Sequence, residues 1–172
     1  MIAVHNLIVR AGSFALEGVS FSIPSGCYGV LMGKTGCGKS TLLRHLIGLH
    51  QPTSGEVWVD GKDIAGLDEK GMNEVRKKFG MLFQGSALFN SMTVGENVAV
   101  PLKEHTSLSP EIIRIIVRVK LELVGLTGFE NFMPHQISGG MKKRVALARA
   151  ISLDPKIVFY DEPGAGLDPI TA

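Results

Sequence analysis

Residues 33–40 read Gly33-Lys34-Thr35-Gly36-Cys37-Gly38-Lys39-Ser40 and satisfy the pattern G-x-x-x-x-G-K-[ST]. A β-like run, "CYGVLMG", precedes the stretch, and the helical pattern "KSTLLRHLIGLH" follows from Lys39. The order is therefore strand, glycine-rich turn, helix. Glycines let successive backbone N–H groups curve around phosphate oxygens that side chains would hold away. The start of the following helix adds about half a positive charge. In that setting the Lys39 ammonium reaches the β- and γ-phosphates of a nucleotide, and the Ser40 hydroxyl is placed for its Mg²⁺. The alternative is a glycine-rich turn with no ligand.

Upstream of this loop, "IAVHNLIV" and "VSFSI" are short strand-like runs. Downstream, "GEVWVDGKDI" alternates around Asp60-Gly61, a strong hairpin signal, and "DEKGMNEVRKKFG" reads as a surface helix. "MLFQ" follows as a short buried strand. From about residue 85 to 144 the pattern is helical. Ser109-Pro110-Glu111 reads as an N-cap with proline in the first turn, and Ile112, Ile115, Ile116, Val119 and Leu123 form an apolar face expected to pack in the core. "KIVFY" has the composition of a central parallel strand buried on both faces.

Composition narrows the class of protein. In 172 residues, hydrophobics make up 45% and charged residues 20%, which suits an α/β globular domain and not a disordered chain. A net charge of +2, spread along the chain, supplies no electrostatic argument for nucleic acid or an anionic membrane. Cys27 and Cys37 lack zinc-ligand spacing and suit a reducing compartment. The most apolar helical stretch, "EIIRIIVRVKLELVGL", is interrupted by Arg114, Arg118, Lys120 and Glu122, so neither a signal peptide nor a membrane span is expected.

Two further clusters carry chemistry. Asp161 follows "KIVFY", where a carboxylate at the end of a buried strand lies beside the phosphate loop and holds Mg²⁺. The adjacent Glu162 is then placed to orient or deprotonate the attacking water. In "QISGGMKKRVALARA", Ser138-Gly139-Gly140 opens a helix and forms a second phosphate nest. One nucleotide has little use for two such nests from one subunit.

With these motifs in order, the chain resembles the ATP-binding subunits of ABC transporters. "ISGGM" is similar to the family's signature, Gln84 in "MLFQ" stands at its Q-loop, Ile157–Asp161 at its Walker B strand, and Leu167-Asp168 at its D-loop. The resemblance implies an α/β P-loop NTPase (RecA-like) fold. It comprises a parallel-sheet core with an antiparallel β subdomain over about 1–84 and 145–172, and an inserted α-helical subdomain over about 85–144. It also implies ATP and Mg²⁺ as ligands and a sandwich of two ATPase subunits, in which Ser138, Gly139 and Gly140 of one chain face the γ-phosphate held by the other's Lys39. Nucleotide contacts would come from Gly33, Lys34, Thr35, Gly36, Cys37, Gly38, Lys39, Ser40 and Thr41, with Mg²⁺ held by Ser40, Gln84 and Asp161. Catalysis would rest on Glu162, Lys39 and Gln84, and Asp168 would lie at the dimer interface. The helical part would receive an integral-membrane permease from the cytoplasmic face, with no nucleic-acid partner.

A narrower likeness lies in "FQGSALFNSMTVGENVAVPLKEHT", "ISGGMKKRVALARA" and "DEPGAGLDPIT". These look like the ATPases of MCE-linked, Mla-type phospholipid transporters of the bacterial envelope, with Met141 in place of the commoner glutamine. An MCE-type lipid-binding protein is then an expected partner. Arg10 stands where the family places its adenine-stacking aromatic; a guanidinium also stacks on a base, and the alternative is a surface charge with Phe14 in the core. Gly164 and Ala165 replace common hydroxyl residues, and Lys34 and Cys37 occupy variable loop positions. Lys142-Lys143-Arg144 suits a solvated helix face better than a lipid site.

None of His5, His45, His50, His105 and His135 lies after the D-loop, where the family has its switch histidine. The resemblance therefore implies a cassette lacking its C-terminal part, truncated at Ala172. Alone it is expected to bind nucleotide poorly and not to turn it over, with "KIVFY" keeping an unpaired edge. Soluble ABC proteins of DNA repair or translation are the competing class. The former have long coiled coils where the roughly 100 residues between Lys39 and Ser138 carry no heptads. A P-loop kinase would have no use for "ISGGM", and an inert nucleotide-binding fragment is the remaining alternative.

Overall fold

A computed structural model describes residues 1–11, 14–83 and 85–161. Two compact units result, Met1–Arg76 and Lys77–Ala172, each built from its own sequence.

In the first unit, β1 (Ile2–Ala11) pairs antiparallel with β2 (Phe14–Ile23) on one edge and β3 (Ser54–Val59) on the other. β4 (Lys62–Asp63) closes the order β2-β1-β3-β4. Val4 and Leu7 are both fully buried although three residues apart, a spacing that an unbroken strand would send to opposite faces. The register shifts between them, and Asn6 at φ 47° takes up the extra residue, so the bulge returns Leu7 to the core. The Asp60-Gly61 turn forms as expected, with φ of 49° and 80°, the left-handed pair that a two-residue hairpin requires.

Two helices complete this unit. α1 (Lys39–Leu46) buries Leu42, Leu43 and Leu46, and α2 (Glu69–Arg76) buries Met72 and Val75. Arg76 donates to the Gly48 carbonyl at 2.8 Å, tying the end of α2 to the turn after α1. The strand expected at 27–33 does not form. Tyr28, Val30 and Met32 are 101%, 78% and 86% exposed there. A strand needs a hydrogen-bonding neighbour, and within this unit β1 to β4 pair with one another and not with residues 27–33.

In the second unit, β5 (Phe79–Leu82) and β6 (Ile157–Tyr160) run parallel, from Phe79 opposite Ile157 to Leu82 opposite Tyr160. Phe79 and Phe159 meet edge to face at 5.2 Å. β6 is parallel as expected but not buried on both faces, because Phe159 is buried while Tyr160 is 47% exposed, and among the described residues β5 is its sole neighbour.

Among the described residues three α-helices accompany this pair: α3 (Val94–His105), α4 (Pro110–Leu123) and α5 (Gly139–Ala150). Their core joins Val94, Val98 and Leu102 of α3 to Ile113, Val117 and Leu121 of α4 and to Val145 and Ala148 of α5. The Ser109 cap and Pro110 stand as expected, but the buried face of α4 is not the expected one. Ile112, Ile115, Val119 and Leu123 are 45–67% exposed, and of the expected stripe Ile116 alone packs on the core. α4 carries two apolar stripes at helical spacing, and periodicity cannot choose between them; the α3 and α5 partners do.

Asn97 is fully buried in this unit. Its Oδ1 accepts from the Phe89 N–H at 2.8 Å, and its Nδ2 donates to the carbonyls of Phe89, Met92 and Thr93 at 2.9–3.1 Å. Asn97→Ala orphans several backbone groups at once and should cost about 2–4 kcal/mol. A fall in the urea midpoint at unchanged slope is the expected reading, and an unchanged midpoint would contradict it.

Candidate functional site

The glycine-rich loop leads into α1 through Gly38, whose φ of 100° lies in the region open to glycine. Gly36, at φ 80°, has nothing within 4 Å of where a Cβ would stand, so the approach to the loop backbone is open. Lys39, the first residue of α1, folds back over the loop. Its ammonium donates to the carbonyls of Gly33 and Lys34 at 2.9 and 3.1 Å and lies 4.0 Å from the Cys37 sulfur. Residues 33–37 are exposed, and Gly38, Lys39, Ser40 and Thr41 are partly exposed. The glycine-rich loop is thus exposed, with the Lys39 ammonium folded against two of its carbonyls.

Helix ends distinguish the two proposed nests from their neighbours. α2, α3 and α4 carry Glu69, Glu96 and Glu111 in their first turns. On α3, Glu96 closes a capping box with Thr93, and the Thr93 N–H holds its carboxyl below the ordinary glutamate range. α1 and α5 have no acid in the first turn. Neither positive end is offset by an acidic side chain, and these are the two helices that open on Gly38-Lys39-Ser40 and Ser138-Gly139-Gly140. At α5 the Ser138 Oγ accepts from the Met141 N–H at 3.2 Å, and nothing lies within 4 Å of a Cβ built on Gly139 or Gly140.

Asp161 follows β6, half-buried, and its N–H donates to the Leu82 carbonyl at 2.9 Å, extending the β5–β6 ladder by one residue. Gln84, Glu162, Gly164, Ala165 and Asp168 lie outside the described residues. Arg10 sits on β1 opposite Ala15, exposed, with its guanidinium 3.6 Å from the Glu17 carboxylate. Arg144 of the basic run turns to the carbonyls of Val124 and Gly125 at 3.1 and 3.2 Å, so it serves packing. Cys27 and Cys37 are free thiols. The Lys39 ammonium with the α1 amides suits a polyphosphate.

Sequence reasoning passed over Asn97 and Arg149. Arg149 donates to the Ser86 and Ala87 carbonyls at 3.0 and 2.9 Å, and burial pulls its guanidinium below the usual arginine range. No motif marks either residue. The capping box did have a signal, Thr93-x-x-Glu96 before an apolar run.

The profile of the ABC transporter family matches residues 16–165. The chain belongs to the ABC transporter family. Among its relatives, a probable ribonucleotide transport ATP-binding protein of Mycobacterium leprae is 49% identical over 98% of this chain and 49% of its own length. An intermembrane phospholipid transport system ATP-binding protein of Haemophilus influenzae is 45% identical over 99% of this chain and 65% of its own. The chain thus spans about half to two thirds of the curated relatives it matches. An ATP-binding cassette solved as a dimer bound to ADP and Pi superposes with a TM-score of 0.89 at 34% identity, over 99% of this chain and 78% of that one. The α/β cassette fold is therefore shown, with its parallel and antiparallel sheets. Among the described residues no helix is long and apolar enough to cross a membrane.

Proposed function

We propose that this chain is the ATP-binding and ATP-hydrolysing part of an ABC transporter that moves phospholipid. The observation that carries the reading is the pair of acid-free helix starts, one holding Lys39 and one holding Ser138-Gly139-Gly140. Two nests on one chain suit a homodimer in which each nucleotide lies between the loop of one subunit and the Ser138 nest of the other. The solved cassette dimer supports that arrangement. Residues of about 1–84 and 145–172 form the nucleotide-binding core in this reading, and about 85–144 face the permease from the cytoplasmic side of the membrane.

The roles follow from chemistry. Backbone N–H groups of 33–41 and the Lys39 ammonium bind the phosphates, and Ser40, Gln84 and Asp161 hold Mg²⁺, which supplies charge neutralisation between the β- and γ-phosphates. Gln84 reports the γ-phosphate, and Glu162 takes the proton from the attacking water. Arg10 stacks on adenine. Arg10→Ala should then weaken ATP binding by about 0.5–2 kcal/mol while Arg10→Tyr preserves it, read by calorimetry. Equal behaviour of the two variants would return Arg10 to its ion pair with Glu17 alone.

The relatives' names differ in cargo, ribonucleotide against phospholipid. Phospholipid is favoured by the likeness of "FQGSALFNSMTVGENVAVPLKEHT" and "ISGGMKKRVALARA" to MCE-linked transporters, which also makes an MCE-type protein the expected partner. Purification from membranes should bring down an integral-membrane permease, and the reconstituted complex should move fluorescent phospholipid between vesicles only with MgATP. Recovery without any membrane protein would instead favour a soluble ABC protein. Uptake of ribonucleotide with no lipid movement would overturn the cargo.

A further inference from the structure

Three consecutive residues after Gln84 hold the left-handed conformation: Gly85, Ser86 and Ala87, at φ 82°, 68° and 46°. Glycine adopts it freely, but Ser86 and Ala87 carry a Cβ and are strained. Local bonds from Ser86 N–H to the Phe83 carbonyl and from Ala87 N–H to the Gly85 carbonyl, 3.2 and 2.9 Å, shape the turn. What fastens it lies 60 residues on. The Arg149 guanidinium takes the Ser86 and Ala87 carbonyls on its two nitrogens, Nη2 and Nη1, at 3.0 and 2.9 Å, and it stands 5.9 Å over the Phe89 ring. A planar fork with fixed donors holds two adjacent carbonyls in one orientation, which a freely rotating ammonium does not.

The far end of the same segment is pinned by Asn97 on α3, through Phe89, Met92 and Thr93. Residues 85–93 are thus fastened to α3 at one end and to α5 at the other. α5 is a twelve-residue rod with the Ser138 nest at its start and Arg149 in its last turn. Its C-terminal end rests on β5, where the Ala150 carbonyl oxygen leaves no room for a Cβ on Gly80. A rod gripped at one end transmits a displacement to the other, about 17 Å away.

We propose that Arg149 is a positioning residue that couples the turn after Gln84 to the Ser138 nest, so that the two answer to nucleotide together. The proposal rests on the nucleotide reading above. When the turn changes conformation, Arg149 either carries α5 with it or loses two charge-assisted bonds, and the second course leaves a partly buried cation without them.

The test uses the intact protein as parent, Arg149→Lys, Arg149→Met and Lys39→Ala. Each is followed by phosphate release over a range of MgATP and by amide hydrogen exchange with and without MgATP. In the parent, MgATP should protect 85–93 and 139–150 together. In Arg149→Met, MgATP should still protect 85–93 while protection of 139–150 disappears, and kcat should fall about tenfold with KM within about twofold. Arg149→Lys, which keeps the charge and loses the planar fork, should keep part of both responses. A residue that only held the fold would lower the unfolding midpoint and leave the two responses linked. Linked protection with parental kcat in Arg149→Met overturns the proposal, and should that variant not fold, the same result in Arg149→Lys does so. A parent without any MgATP response, or a Lys39→Ala response equal to the parent's, overturns the nucleotide reading and the coupling with it.

Discussion

Lys39→Ala is expected to weaken MgATP binding by about 1.5–3 kcal/mol, roughly 10- to 150-fold, with little change in fold stability. The ammonium is already engaged, bonded to the Gly33 and Lys34 carbonyls. Binding therefore exchanges two neutral acceptors for phosphate oxygens, and the gain is the difference between a charge-assisted bond to an anion and bonds to carbonyls. The loop is exposed, so water replaces the lost contacts in the empty variant and its unfolding midpoint should move little. Calorimetry with MgATP reads the effect directly. Equal affinity in variant and parent would remove the phosphate-binding role from the loop.

What sequence could and could not show follows from the range of the interactions involved. The Asp60-Gly61 hairpin, the Ser109-Pro110 cap and the start of α1 at Lys39 all depend on residues within a few positions, and they formed where the pattern placed them. The face of α4 depends on partners carried by other helices. Ile112, Ile115, Val119 and Leu123 and the opposing Ile113, Val117 and Leu121 fit one helical period equally well, and only packing against α3 and α5 separates them. The run "CYGVLMG" had the composition of a strand, but composition supplies no neighbour to pair with, and 27–33 stayed unpaired.

At the site the same division holds. Gly33 to Ser40 is a contiguous motif whose chemistry is local, and the structure lays it out as an open loop against the start of α1. Ser138-Gly139-Gly140 was visible for the same reason, as a cap followed by residues without side chains. The clamp of Arg149 on Ser86 and Ala87 joins residues more than 60 positions apart through backbone carbonyls, which every residue carries. No residue type at 86 or 87 announces such a contact, so pattern reading had nothing to find.

In the assembled transporter, Glu162→Gln should collapse turnover while leaving MgATP bound. Glutamine matches glutamate in shape and keeps a carbonyl oxygen to accept from water, but it has no basicity, so the proton of the attacking water loses its acceptor. A positioned general base contributes about 10²–10⁴ in rate, and kcat should fall by that factor, about 2.7–5.5 kcal/mol on the barrier. Affinity should stay within about threefold of the parent, since the proposed roles give the phosphates to Lys39 and the loop amides and not to this carboxylate. Asp161→Asn is the informative contrast. Asp161 continues the β5–β6 ladder through its N–H to Leu82, and its proposed task is the metal. Loss of that charge should weaken Mg²⁺-dependent binding itself, appearing in KM as well as kcat. Single-turnover phosphate release beside equilibrium binding separates the two acids. Hydrolysis at the parental rate in Glu162→Gln would move the base elsewhere, whereas a shared defect in binding would place both acids on the metal.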